Sequence, residues 1–249
     1  MNRGYLAVAS SKPSFYYAAI NCLESIKDYD PDAQTCLVVD EHLYDGRDHS
    51  IDHIIFTETP NEYRAKLWGM AKTPFDQTFY VDADTECMHE DIAKVWDEFR
   101  GNDMVFQALT LERDKAFKGR HFPAGSFQYN GGVCLYDSSK QHIRDFMMRW
   151  YDLYKLQLSD KWWPIDQETG EWDLHAYGKR EEQKYWDQFT LWYLTNKEQK
   201  WDDLNIGIFK DDLRWNYFSG MGKVGIGCDN PIIVHYSSAL SKDNDIYAS

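Results

Sequence analysis

Short apolar runs alternate with helix-patterned segments along the first hundred residues, and this alternation most constrains the fold. Residues 5–9, 35–39, 53–56 and 79–81 are apolar or β-branched runs bounded by turn formers, so each reads as a strand. After the first, Phe15, Ala19, Cys22, Leu23 and Ile26 recur at helical spacing, with Ser14 as the candidate cap. Residues 61–72 carry the same period, with Tyr63, Leu67 and Met70 on one side and Arg64 and Lys66 elsewhere. Strands separated by helices predict a parallel, doubly wound sheet. Further on, residues 91–100, 139–158 and 180–196 read as helices, and 104–108, 128–136 and 232–234 as strands. The strand at 128–136 is interrupted by Asn130-Gly131-Gly132, and glycines inside a strand mark a bulge or a close backbone approach. With no repeat, low-complexity tract or linker, one domain over residues 1–249 is expected.

The fourth strand runs into two carboxylates: Phe79-Tyr80-Val81-Asp82-Ala83-Asp84-Thr85. In extended chain, residues two apart point the same way, so Asp82 and Asp84 can address one target while small Ala83 leaves the space open. Oxygen ligands at the C-terminal edge of an α/β sheet suit a hard cation such as Mg²⁺ or Mn²⁺, which can bridge to phosphates. A plain strand end followed by a turn has the same tripeptide, so context decides.

Lys and Arg against Asp and Glu give 27 − 41 = −14, which argues against a nucleic-acid backbone as partner. Hydrophobic residues make up 43%, enough for a packed core. No run approaches the roughly 18 apolar residues of a membrane span, and no signal-peptide core follows Met1. The cysteines, Cys22, Cys36, Cys87, Cys134 and Cys228, are odd in number without CxxC spacing. They read as reduced residues of a cytoplasmic protein. Residues 112–127 form a polar stretch with Arg113, Lys115, Lys118, Arg120 and His121, either a lid over phosphates or a solvated loop. Trp162, Trp163 and Trp172 are either packing residues or a platform for sugar rings.

Taken in order, the first strand and helix, the hydrophobic-Asp-x-Asp, the Tyr129-Asn130-Gly131-Gly132-Val133 segment, Asp187-Gln188 on a late helix and the terminal hydrophobic-His235-Tyr236 resemble the GT-A glycosyltransferases. The pattern is most similar to the glycogenin and lipopolysaccharide galactosyltransferase-like group, over residues of about 5–242. The resemblance implies a single α/β, Rossmann-like domain. Its mostly parallel mixed sheet is flanked by helices, with a helical, Trp-rich C-terminal part. Residues of about 1–110 would form the nucleotide-binding half and about 128–249 the sugar and acceptor half. Asp82, Asp84 and His235 match the ligands of Mn²⁺ or Mg²⁺. Ala9, Ser10, Ser11, Arg64, Lys66, Asp82, Ala83, Gly131 and Lys242 match donor-binding positions. Asn130, Asp187 and Gln188 match residues at the donor sugar and reaction centre. An amide beside a carboxylate can grip neighbouring hydroxyls. The implied activity is retaining transfer from a nucleotide-sugar, a UDP-sugar favoured, to a hydroxyl of a glycan, lipid-linked or other acceptor.

Two alternatives share these residues. Tyr80-Val81-Asp82-Ala83-Asp84-Thr85 also fits the signature of haloacid dehalogenase-type phosphatases, with Asp82 as nucleophile and Asp84 as general acid. That signature sits on the first strand of its domain, whereas three strands precede this one, and Glu86 follows where an apolar residue is expected. A catalytically silent sugar-nucleotide or glycan-binding module would keep the fold without turnover.

Overall fold

The computed structural model describes residues 1–62, 64–109, 128–163 and 185–236. Its strands are β1 (Arg3–Ala9), β2 (Thr35–Val39), β3 (His53–Phe56), β4 (Gln77–Val81), β5 (Thr85–Cys87), β6 (Met104–Leu109), β7 (Gln128–Asp137), β8 (Ile206–Ile208), β9 (Tyr217–Phe218) and β10 (Ile233–His235). A seven-stranded sheet has the order β3-β2-β1-β4-β7-β6-β8, and a three-stranded sheet the order β5-β10-β9. The strands β3, β2, β1 and β4 pair in parallel, as do β6 and β8; β7 runs antiparallel to both β4 and β6. The sheet is therefore mixed and mostly parallel, as the resemblance implies, and not the purely parallel one that alternation alone predicts.

Helices cover both faces of the large sheet, which is why its central strands read as unbroken apolar runs. On one face Tyr5, Ala7, Leu37, Val39, Phe79 and Val81 pack on Ala19, Leu23 and Ile26 of α1 (Pro13–Tyr29). On the other, Leu6, Val8, Val38, Tyr80 and Phe106 pack on α2 (Lys66–Ala71), α3 (Gln141–Leu158) and α4 (Asp187–Asn196). Four of the cysteines are buried and all five are free thiols. Among the described residues no helix is long and apolar enough to cross a membrane.

Two local expectations need correction. The first helix opens on Pro13, whose missing N–H suits the first turn, and Lys12, not Ser14, occupies the cap. The second helix is short because Asn61 (φ 59°) and Arg64 (φ 66°) adopt left-handed backbone, which no α-helix continues through. Arg64 and Lys66 thereby leave the outer helix face and turn inward.

Gly69 lets α2 lie close on β1: a Cβ there would come 2.6 Å from Val8 Cγ2. Alanine in an open helix would add about 1 kcal/mol of stability. Here Gly69→Ala is expected instead to destabilise by about 1–3 kcal/mol through overpacking. Denaturation of Gly69→Ala, Val8→Ala and the double variant checks this: the double should lose less than the sum of the singles.

Candidate active site

The strand β4 ends at Val81, and the chain turns through Asp82, Ala83 and Asp84 into β5. The two carboxylates thus share a turn and do not lie along extended strand. Backbone bonds fix that turn: Asp82 N–H donates to the Gly132 carbonyl at 2.8 Å, and Tyr236 N–H to the Asp84 carbonyl at 2.8 Å. The Thr85 hydroxyl donates to the Asp82 carbonyl at 2.7 Å. Because β10 pairs antiparallel with β5, placing His235 opposite Thr85, the imidazole comes to the carboxylates. Its Nε2 lies 3.0 Å from Asp84 Oδ1 and 3.9 Å from Asp82 Oδ2. One donor atom from each of Asp82, Asp84 and His235 falls within 4.8 Å of the others.

Space for an ion comes from β7. Its pairing with β6 jumps from Phe106↔Cys134 to Gln107↔Asn130, so residues 131–133 bulge out of that ladder, while Val133 still pairs with Val81 of β4. The bulge brings Gly132 backbone against the site: a Cβ there would lie 3.0 Å from both Asp82 Oδ2 and His235 Cε1. Two carboxylates and an imidazole around a space that glycine keeps open fit Mn²⁺ or Mg²⁺.

A second cluster of charge adjoins the first. Lys66 Nζ bridges Asp82 Oδ1 at 3.0 Å and Asp187 Oδ2 at 3.1 Å, and Arg64 Nε lies 3.2 Å from Asp187 Oδ1. Asp187 opens α4, where the helix N-terminus favours an anion, and its backbone carbonyl accepts the indole N–H of buried Trp150 at 3.0 Å. The phenol of Tyr80 donates to Asp82 Oδ1 at 2.5 Å.

These contacts set the ionisation states. Burial opposes the charge of Asp187, but Lys66 and Arg64 more than offset it and hold the carboxyl below its usual range. Burial likewise opposes charge on Lys66, and Asp187 and Asp82 outweigh it, so the ammonium stays protonated. Burial also disfavours ionisation of Asp84 and His235, yet their mutual attraction lowers the pKa of the first and raises that of the second.

Of the residues singled out by sequence, the structure thus brings Asp82, Asp84, His235, Lys66, Arg64, Gly131 and Asp187 to one place, the Gly131 carbonyl lying 3.4 Å from Lys66 Nζ. Buried Ala83 lies between the two carboxylates. Asn130 turns its side chain back on the bulge, its Oδ1 accepting the Gly132 N–H at 2.8 Å. Gln188 follows Asp187, half-buried. Ala9 ends β1, and beyond it Ser10 donates to the Glu62 carbonyl at 3.0 Å, while Ser11 donates its N–H to Asp40 Oδ2 at 2.9 Å. Lys242, Trp172 and the basic stretch lie outside the described residues. Trp163 is buried and packs on Phe189, and Trp162 sets its ring edge-on to Tyr193 at 4.7 Å. Both rings are engaged in packing. Tyr80 and Asp40 escaped sequence reasoning as site residues. The first sits in an apolar strand and the second at a strand end, each with an ordinary pattern.

No family model matches the chain, and no curated protein matches it by sequence. Solved structures do match. The galactosyltransferase LgtC, determined with donor and acceptor sugar analogues, aligns with TM-score 0.55 at 14% identity over 95% of this chain and 87% of its own. The glycosyltransferase GlyE of Streptococcus pneumoniae aligns at 0.59 and 14% over 95% of this chain and 55% of its own. Mouse xyloside xylosyltransferase 1 aligns at 0.51 and 13% over 96% and 98%. The fold is that of the GT-A glycosyltransferases. In this GT-A fold Asp82 directly follows β4, the fourth strand in sequence, which lies between β1 and β7 in the sheet.

Gly132→Ala is expected to fold and to bind Mn²⁺ at least tenfold more weakly, because its methyl group intrudes on Asp82 and His235. Calorimetric titration measures this. Burial opposes the charge of His235, but Asp84 outweighs it and raises the pKa, so the ring is more than half protonated at its ordinary midpoint of 6.5. Wild-type Mn²⁺ binding at that pH is therefore expected to release a proton, seen as a binding enthalpy that varies with the buffer's ionisation enthalpy.

Proposed function

We propose that the protein is a metal-dependent glycosyltransferase. It would move a sugar from a nucleoside diphosphate donor, a UDP-sugar by preference, to a hydroxyl acceptor with retention of configuration. The observation that carries this reading is the convergence of Asp82, Asp84 and His235, in a GT-A fold, beside the Lys66–Asp187 pair.

In this reading Asp82, Asp84 and His235 hold Mn²⁺ or Mg²⁺, which when bound neutralises charge on the departing diphosphate. Lys66 and Arg64 add fixed positive charge beside that position, without reorganisation as the bond breaks. Asp187, kept ionised by those cations, retains acceptor positions for sugar hydroxyls, since a carboxylate offers about four. Gln188 and Asn130 supply amide partners, and Asn130 also holds the bulge. The acceptor hydroxyl attacks on the face from which the diphosphate leaves, and the leaving phosphate oxygen takes its proton. No protein base is then required. Ala9, Ser10 and Ser11 border the base and ribose, and Lys242 would meet the diphosphate.

The phosphatase alternative requires Asp82 as a free nucleophile. Here Tyr80 and Lys66 both hold Asp82 Oδ1, an arrangement suited to a fixed ligand.

Thermal unfolding with UDP, GDP, CDP and dTDP, each with and without Mn²⁺, tests the reading. UDP with Mn²⁺ is expected to stabilise by about 2.7 kcal/mol at a hundredfold excess over Kd, raising Tm by roughly 5–11 °C. The shift should require the metal and vanish in Asp84→Ala. Mn²⁺-dependent consumption of a UDP-sugar then separates an enzyme from a binding module. Absence of any nucleotide shift, together with Mg²⁺-dependent phosphate release from simple phosphoesters, would overturn the reading in favour of a phosphatase.

A further inference from the structure

Behind His235 lies a chain of side-chain amides that the metal site itself does not explain. Asn216 Oδ1 lies 3.1 Å from His235 Nδ1. Asn216 Nδ2 donates to Gln107 Oε1 at 3.0 Å. Gln107 Nε2 in turn donates to the backbone carbonyls of Asn216 at 2.7 Å and Asp212 at 3.3 Å. Gln107 and Asn216 are both 0% exposed and His235 is 4% exposed, so no solvent competes along the chain.

The polarity of this relay runs one way. Backbone carbonyls only accept, so Gln107 must present Nε2 to them and Oε1 to Asn216. Asn216 must then present its amide to Gln107 and its oxygen to the imidazole. A ring nitrogen facing an oxygen acceptor must carry a proton, so Nδ1 is the N–H. By the same rule Nε2, facing Asp84, carries a proton in the metal-free ring, and once that proton leaves, Nε2 is the nitrogen with a free lone pair. It is Nε2 that faces Asp84 and Asp82. Phe218 stacks on the ring at 4.2 Å and 22° between planes, which limits its tilt.

We propose that Asn216 is a positioning residue that fixes His235 in the tautomer and orientation of a metal ligand, with Gln107 setting Asn216. The relay links separate parts of the fold. Gln107 lies where the β6–β7 register jumps, opposite Asn130, and Asn216 follows the short helix α5 (Asp212–Trp215). The Asp212 carboxylate of α5 accepts the Ala108 N–H at 3.0 Å, tying that helix to β6 next to Gln107. One irregularity therefore opens the ion's space through Gly132 and sets its nitrogen ligand through Gln107.

This inference rests on the metal reading of Asp82, Asp84 and His235, and its test separates the two. Mn²⁺ alone is titrated into the full chain by calorimetry or by loss of its free EPR signal. Asn216→Leu removes the acceptor at nearly constant volume, and its Kd is expected to rise roughly 10- to 100-fold. Asn216→Asp keeps an oxygen towards Nδ1 but loses the amide donated to Gln107, and should recover part of the affinity lost in Asn216→Leu, a recovery that simple packing would not give. In the metal-free wild type, nitrogen-resolved NMR should show a slowly exchanging proton on His235 Nδ1, lost in Asn216→Leu. A folded Asn216→Leu with wild-type Mn²⁺ affinity would overturn the inference alone. So would a wild-type ring lacking the Nδ1 proton, a measurement that needs no variant. Failure of the wild type to bind Mn²⁺ at all would overturn the reading of the site and the inference with it.

Discussion

The arrangement depends on β7 running antiparallel between two strands that point the other way. Its pairing with β4 is regular up to Val81, which fixes where the Asp82 turn begins. Its pairing with β6 breaks beside the same point, and the slack emerges as the bulge at 131–133. A parallel strand in that slot would need a long crossover and would enter from the opposite edge. The turn carrying Asp82 and Asp84 and the bulge carrying Gly131 and Gly132 are neighbours because their strands meet head to tail. The small sheet adds the third side, since β10 delivers His235 only through its register with β5.

On this frame the polar side chains form two connected groups. Asp82 belongs to both: Lys66 and Tyr80 hold one of its oxygens, and the other faces His235. Asp187 would be costly to bury charged without partners, and Lys66 and Arg64 supply them. Those cations reach it because the chain before α2 passes through left-handed backbone at Arg64. A continuous helix over 61–72 would have carried both along its outside.

What the sequence made legible was local. The β2 and β3 bounds follow from runs such as Thr35-Cys36-Leu37-Val38-Val39, in which composition and punctuation agree. Asp82 and Asp84 are visible because ligands two apart form a compact pattern, and Asn130-Gly131-Gly132 because glycine is rarely tolerated inside a strand without reason. The helix that the hydrophobic period predicts over 61–72 is confined to 66–71, because the period continues through residues whose φ is positive and does not report φ. The three-stranded sheet was not legible at all: β9 has two residues and acquires its meaning only beside β10. The Gln107–Asn216 contact spans 109 positions, and neither residue sits in a distinctive local pattern. Asp187 was found by resemblance, yet its bond to Lys66 could not be read from either segment.

The charges gathered here also bear on the order of events. Asp82, Asp84 and Asp187 are opposed by Lys66, Arg64 and, when it is protonated, His235, so the ligand-free centre is then near neutrality and exerts little long-range pull on an anion. Exchanging the imidazole proton for a divalent cation leaves a net gain of one positive charge, in a protein whose overall charge is −14. A polyphosphate approaching the bare protein meets a negative surface and a balanced pocket. Approaching the cation-loaded protein, it meets a local positive field at low dielectric. On the proposed chemistry, the ion and the nucleotide therefore bind in sequence, and the first creates the attraction that recruits the second.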